Sequence, residues 1–378
     1  MEYLFYTGVV LCGYSYFIYP AILLLISRRR AAVELPAQGE NLPRLSLIIT
    51  VHNEADRICE KLDNTLELDY PGDCLEIIVA SDCSTDATDS IIESYGARGV
   101  RLVRADRRKG KEYAQLCAIR EAAGSILVFS DVATAIPGEA LRNLALLFGD
   151  TRVGAVSSED RFVSSDGQIV GEGAYVRYEM WLRRLESERA GLVGLSGSFF
   201  AARREVCREW DIYSPSDFNT AFNCARQGLF AISSADVTGI YRDVRHSGLE
   251  YRRKMRTVVR GMTAILRHPG VLNPVTMGLF AFQVWSHKIM RWCVPWFMLM
   301  LAVTTLLLAG QGPVYMLAFG LQVVFYSLAI AGWLSETARN NAVTRLVFFF
   351  VQTNVALAHA MLSFLAGNRM TVWTPTRR

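Results

Sequence analysis

The chain has 378 residues, enough for one large catalytic domain with accessory segments, and 51% of them are hydrophobic. Its formal charge of +4 is modest, and the arginines gather near the ends of apolar runs, which suits anionic lipid headgroups and argues against a nucleic-acid partner. Eight cysteines (12, 59, 74, 83, 117, 207, 224 and 293) show no Cys-x-x-Cys and no regular spacing, which argues against a zinc site or a disulfide framework and fits a reducing compartment.

Residues 3–26 form a nearly uncharged run, followed by Arg28-Arg29-Arg30. As a helix that length spans about 30 Å of hydrocarbon. Glu2 precedes the run, whereas a cleaved signal peptide carries its positive charges ahead of the apolar core. The expectation is a transmembrane helix over 1–27, with the amino terminus outside and Arg28 onward in the cytoplasm. A linker over 28–43 leads into Leu45–Val51, a short β-rich run that reads as a buried strand.

From there the pattern alternates. Helical spacing at Ile58, Leu62 and Leu66 predicts a helix over 54–66, and a second strand runs over 75–80. The polar cluster Ser81–Asp86 caps a helix with Ile91 and Ile92 on its inner side. A strand over 100–103, a basic turn, a helix over 112–123 and a strand over 125–130 complete the series. Strands alternating with helices predict an α/β domain with a parallel-rich sheet covered on both faces. Ligands in such sheets bind beyond the carboxyl ends of the strands, where the polar clusters of this chain fall. The cytoplasmic domain is expected over 44–245.

Beyond it, 246–290 reads as interfacial amphipathic helices. Trp285, His287, Lys288, Arg291, Trp292 and Trp296 mix aromatic and basic side chains ahead of an apolar run, as at a headgroup boundary. Apolar stretches at 291–309, 314–334 and 343–366 predict membrane segments, with a tail over 367–378. Gln352, Asn354 and His359 make the last segment polar, so that it could be partly re-entrant or line a passage. Three spans would leave Arg369, Arg377 and Arg378 outside, against the positive-inside rule, and the topology of this end stays open.

Seven segments carry polar chemistry in order: Thr50-Val51-His52-Asn53-Glu54; Ser81-Asp82-Cys83-Ser84-Thr85-Asp86-Ala87-Thr88; Arg108-Lys109-Gly110-Lys111; Asp131-Val132-Ala133-Thr134; Gly194–Arg204; Ser214-Pro215-Ser216-Asp217-Phe218; and Tyr251–Thr257. Six of them have a plain structural reading: Asn53, Asp82 and Asp217 as helix caps, the basic turn as a solvated loop, Gly194–Arg204 as a tight turn before a strand, and Arg253 with Arg256 on an interfacial basic helix. In that order, over roughly 44–260, they resemble the family-2 inverting glycosyltransferases of the nucleotide-diphospho-sugar transferase (Rossmann-like GT-A) fold. The flanking hydrophobic layout resembles the membrane-embedded branch of cellulose, chitin, hyaluronan and poly-N-acetylglucosamine synthases.

The resemblance implies a residue-by-residue site. Thr50 and Glu54 lie in the loop against the nucleoside, Asp82 accepts from the base, and Lys111 meets the diphosphate or a base carbonyl. Asp131 is the metal ligand for Mg or Mn. The relatives carry Asp-x-Asp or Asp-Ala-Asn there, so Ala133 stands where a second ligand is usual. Ser81 and Cys83 replace the relatives' first Asp and Gly. Ser196, Gly197 and Ser198 lie in the small-residue segment at the acceptor cleft, and Asp217 is the catalytic base. Arg253 and Arg256, on one helix face, clamp the leaving diphosphate. Thr257 replaces a Trp that lines the acceptor site of processive synthases, which weakens the case for a long polymer held in a channel. The ending Thr371–Arg377 resembles their Trp-Gly-Thr-Arg tail.

The expected activity is a membrane-bound inverting transfer from a nucleotide-diphospho-sugar, UDP-linked by resemblance, to a lipid-linked or growing surface glycan. The expected location is the inner (plasma) membrane, multi-pass, with the catalytic domain cytoplasmic. A processive synthase that extrudes its product and a non-catalytic membrane assembly subunit are the alternatives.

Overall fold

The computed structural model describes residues 1–26, 42–163, 174–242 and 247–369. Most of the expected linker over 28–43 and the tail from Met370, with its Thr371–Arg377 ending, lie outside these. The described residues divide into two compact units: one takes those between Ile26 and Arg242 with Thr263–Ala281, the other Met1–Leu25 with 247–262 and 282–369.

The first unit is built on a seven-stranded sheet: β1 Leu45–Val51, β2 Leu75–Ser81, β3 Val100–Arg104, β4 Ile126–Asp131, β5 Val153–Val163, β6 Phe199–Arg203 and β7 Phe230–Arg242. Their spatial order is β3-β2-β1-β4-β6-β5-β7. The first four run parallel, joined by helices Ile58–Leu66, Thr88–Ser94 and Lys111–Glu121. Strand β6 enters antiparallel to β4 and β5, while β5 and β7 pair in parallel. The three later strands carry no period-2 signature that stands out from the sequence.

Both faces of the sheet are covered, which is why β1 is buried along its whole length. One apolar layer joins Leu45, Leu47, Ile49 and Val51 to Ile58, Leu62, Ile92, Leu141 and Leu144 from the helices. The other joins Ile48, Ile78, Leu127 and Phe129 to Ala114, Ala118, Val206, Trp210 and Ala221. Phe129 stacks on Phe200 at 4.8 Å and on Trp210 at 5.0 Å between ring centroids, anchoring β4. The helix expected over 54–66 begins at Ile58, because residues 54–57 form a turn in which Glu54 O accepts from the N–H groups of Arg57 and Ile58.

The second unit is helical. Glu2–Leu25, Leu279–Leu308 (from Phe282 onward in this unit), Pro313–Leu334 and Ala342–Leu365 are long and apolar enough to cross a membrane, by length and composition. The division expected at 290/291 falls inside the continuous Leu279–Leu308 helix. Two widened π turns, Tyr14–Ile18 and Trp285–Ile289, meet: Tyr14 Oη lies 2.9 Å from Ser286 Oγ, and Ser15 Oγ donates to Ser286 O at 3.0 Å. Such turns misalign backbone groups, and side-chain donors from a neighbouring helix satisfy them. Arg291 stacks over the Tyr16 ring at 5.1 Å.

The same unit accounts for part of the polarity of the last apolar helix. Residues 247–262 of the basic helix Ser247–Arg267 pack along it, Met255 and Val259 against Ala356 and Ala360. Tyr251 Oη sits 3.0 Å from His359 Nδ1, and Lys254 Nζ donates to Thr353 Oγ1 at 3.1 Å. Asn354 turns back on its own helix and donates to Phe350 O.

Candidate active site

The parallel strands end together. Thr50 of β1 is in register with Asp131 of β4, and Val51 with Ser81 of β2. Thr50 is buried, and its Oγ1 has no hydrogen-bond partner. Past β1, His52 Nδ1 donates to Asp82 O at 2.8 Å, tying the first loop to the second. Asn53 and Cys83 are the non-glycine residues at positive φ among those described (+53° and +54°), one in each loop. Asn53 Oδ1 accepts from Thr85 N–H at 2.8 Å, so an Asn tolerant of this conformation locks the loops together. Glu54 N–H donates to Thr88 Oγ1 at 2.8 Å, and its carboxylate is paired with Arg57. Burial pushes the Glu54 carboxyl above its ordinary value, against the lowering effect of Arg57.

Asp82 is fully buried. Its carboxylate accepts from the backbone N–H groups of Lys109 and Gly110, at 3.0–3.1 Å, and so pins the basic turn to the end of β2. Gly110 makes this possible with φ +98°, a conformation that opens the helix Lys111–Glu121. Asp86 accepts from the N–H groups of Thr88 and Ala55 and supports the loop; burial raises its carboxyl, but the hydrogen bonds from Thr88 and Ala55 outweigh this and hold it below its usual value.

Lys111 links three of the sequence segments. Its Nζ donates to Asp131 Oδ1 at 2.5 Å and to Gly197 O at 2.6 Å. Asp131 closes a turn, with Thr134 N–H donating to its carbonyl, and its own N–H donates to Ser198 O at 2.9 Å. From beneath, the buried Lys61 donates to Ser130 Oγ at 2.8 Å and to Thr134 O at 2.7 Å. The Asp131 side chain remains 29% exposed, open to a ligand above the sheet.

On the other side of Lys111, a Cβ on Gly197 would lie 3.6 Å from the Asp217 carboxylate. Leu195 N–H donates to Asp217 O, so this segment and the start of helix Ser216–Arg226 are joined through backbone as well. Pro215 precedes that helix and Asp217 lies in its first turn, where the positive end of the dipole favours a carboxylate. Ser196 Oγ donates to Asp160 Oδ1 at 2.8 Å and lies 2.9 Å from Ser198 Oγ. Thus Asp131, Lys111, Ser196–Ser198 and Asp217 form one continuous group. Asp160 and Lys61, which belong to no motif, sit directly beside it. Asp160 leaves no signal in the sequence, whereas Lys61 occupies an inward position of an amphipathic helix and could have been noticed. Arg253 and Arg256 lie on the Ser247–Arg267 helix in the other unit.

A divalent cation can be tested against these donors. Among the described residues there is no group of three or more His, Cys, Asp or Glu that could hold a metal, and Ala133 offers no ligand. Asp131 is one accessible carboxylate. That set fits a cation shared between Asp131 and a bound diphosphate, with waters completing the sphere, and not one held by protein alone.

Residues 46–210 match the model of glycosyl transferase family 2, so the chain carries a family 2 glycosyltransferase domain. An N-acetylglucosaminyltransferase from Mesorhizobium japonicum is 32% identical over 154 residues, covering 40% of this chain and 33% of that protein. The succinoglycan biosynthesis protein ExoO of Rhizobium meliloti is 27% identical over 109 residues, 29% of this chain and 31% of that one. The chain spans about a third of the length of these curated relatives. Among solved structures, the mannosyltransferase PcManGT from Pyrobaculum calidifontis, in complex with GDP-Man and Mn2+, is 24% identical with a TM-score of 0.71, over 96% of this chain and 99% of that one. That likeness shows the GT-A fold.

Proposed function

We propose that the protein is a membrane-bound inverting glycosyltransferase that moves one sugar from a nucleotide-diphospho-sugar to a lipid-linked or growing surface glycan. The observation that carries this reading is the continuous group Asp131–Lys111–Gly197–Asp217 at the carboxyl ends of the strands. In the transfer, the Asp217 carboxylate takes the proton of the acceptor hydroxyl. The freed oxygen attacks the anomeric carbon in line, and the bond to the nucleoside diphosphate breaks with inversion. Lys111 supplies an ammonium that can pass from Asp131 to a phosphate oxygen, and Asp82 holds the turn that carries it. A divalent cation, Mg or Mn, bound at Asp131 would offset further phosphate charge. Thr50 and Glu54 border the nucleoside side, Ser196 and Ser198 the acceptor side, and Arg253 with Arg256 are assigned to the leaving diphosphate by resemblance alone. The donor is read as UDP-linked, and the protein as multi-pass in the plasma membrane with this domain cytoplasmic.

Addition of a single residue is favoured over processive synthesis by Thr257 and by the last apolar helix, whose Thr353 and His359 are engaged by Lys254 and Tyr251. Purified Asp217→Asn should lose donor hydrolysis and transfer by at least about 100-fold while still binding nucleotide. Retained turnover would remove Asp217 from its role. Long polymer made from one donor would replace single addition by the processive reading.

A further inference from the structure

Helix Ile58–Leu66 buries Ile58, Lys61, Leu62 and Thr65, the i, i+3, i+4, i+7 stripe of an amphipathic helix facing the core. An apolar residue is expected at its second position. Instead a lysine stands there with its side chain 2% exposed. Burying an ammonium is costly, and burial lowers its pKa to about 7, with Asp131 the neighbour that raises it. A local break of the apolar pattern at such expense marks a place where something other than packing is served.

The Nζ hydrogen bonds say what is served. Ser130 Oγ and Thr134 O are the two acceptors, and they flank the three residues Asp131, Val132 and Ala133. The ammonium therefore spans both ends of the turn that presents the single carboxylate, from inside the protein. The turn is held on its flank by Ser198 O, which accepts from Asp131 N–H and from Thr134 Oγ1. Above it, Lys111 reaches Asp131. Two buried lysines thus bracket one aspartate, Lys111 at its carboxylate and Lys61 beneath its turn.

We propose that Lys61 is a positioning residue of the donor site, fixing the 131–134 turn so that Asp131 can exchange Lys111 for the donor's diphosphate and its cation; this rests on the glycosyltransferase reading above. Ala133 offers no side-chain ligand beside Asp131, so orientation cannot be shared with a second residue of this turn. The turn itself must hold it.

The test uses the full chain in detergent or nanodiscs, with UDP and GDP as probes, each with and without Mn2+, in titration calorimetry. Lys61→Met removes the charge and both hydrogen bonds while keeping length and apolar contact. Its thermal midpoint is expected within a few degrees of wild type, since loss of a buried charge offsets loss of its hydrogen bonds. Its affinity for the nucleotide with Mn2+ is expected to fall at least about tenfold. Asp131→Asn added to Lys61→Met should cost less than Asp131→Asn alone, because both act through one turn. Lys61→Gln, which keeps one donor to the turn, should fall between and stands in if the Met variant does not fold. Affinity within twofold of wild type in these variants, or losses that multiply independently, overturns the role. Wild-type protein that binds neither nucleotide removes the glycosyltransferase reading, and this role with it.

Discussion

At Asp131 the carboxylate accepts from Lys111 through Oδ1, so a cation bound there would share the carboxylate with the lysine or displace it. Lys61, below the same turn, makes a separate prediction about stability. Its pKa of about 7 in the fold lies below the ordinary 10.5, so between those values the unfolded chain binds more protons than the folded one. On this account stability rises with pH from about 7 toward 10.5 and is level below 7. The thermal midpoint of wild type should therefore rise relative to that of Lys61→Met between pH 7 and pH 9. A constant difference would show that Lys61 does not change its charge in the fold. Cys83 adopts a glycine-like φ of +54°, which no propensity scale would assign to cysteine. The resemblance assigns Asp82 to the base. Its carboxylate here holds the turn leading to Lys111.

Among the elements, the end of helix Ser247–Arg267 bears on Asp217. Arg267 donates to both oxygens of Asp211, at 2.6 and 2.9 Å, and His268 Nε2 lies 3.0 Å from Asp211 Oδ2. Asp211 also accepts from Tyr213 N–H and Ser214 Oγ, shaping the turn that enters the Asp217 helix. Burial raises the Asp211 carboxyl, but the hydrogen bonds from Arg267, Tyr213 and Ser214 outweigh it and hold the group below its usual value. The stabilisation it provides is present above the unfolded carboxylate pKa and lost as pH falls through the lower folded value. Arg267→Ala should raise the pH of acid unfolding and reduce transfer roughly tenfold through misplacement of Asp217, with nucleotide affinity unchanged. An unaltered rate would separate this turn from the catalytic geometry. Periodicity located the helix around Ile58, and the apolar runs located the four long helices found among the described residues. Strands β5 and β7 leave no local signal because their partners are distant in sequence, whereas β6 follows the tight turn expected before a strand in Gly194–Arg204, and only its reverse direction is new.

The four long apolar helices among the described residues, with a basic amphipathic segment packed along the last of them, predict firm membrane association. The full chain should stay in the pellet after an alkaline carbonate wash and require detergent for release. Recovery in the soluble fraction would contradict the membrane reading. Chain order and composition alone determined a parallel-rich α/β domain between hydrophobic ends, because strand and helix periodicities and apolar run lengths are local properties. They also determined which segments end at the ligand-binding edge, since every loop after a parallel strand must emerge there. Only the tertiary structure decided which side chains meet. Lys111 reaches Gly197 across 86 positions and Lys61 reaches Thr134 across 73. Such contacts depend on strand order and on the path of each helix over the sheet, which no local pattern encodes.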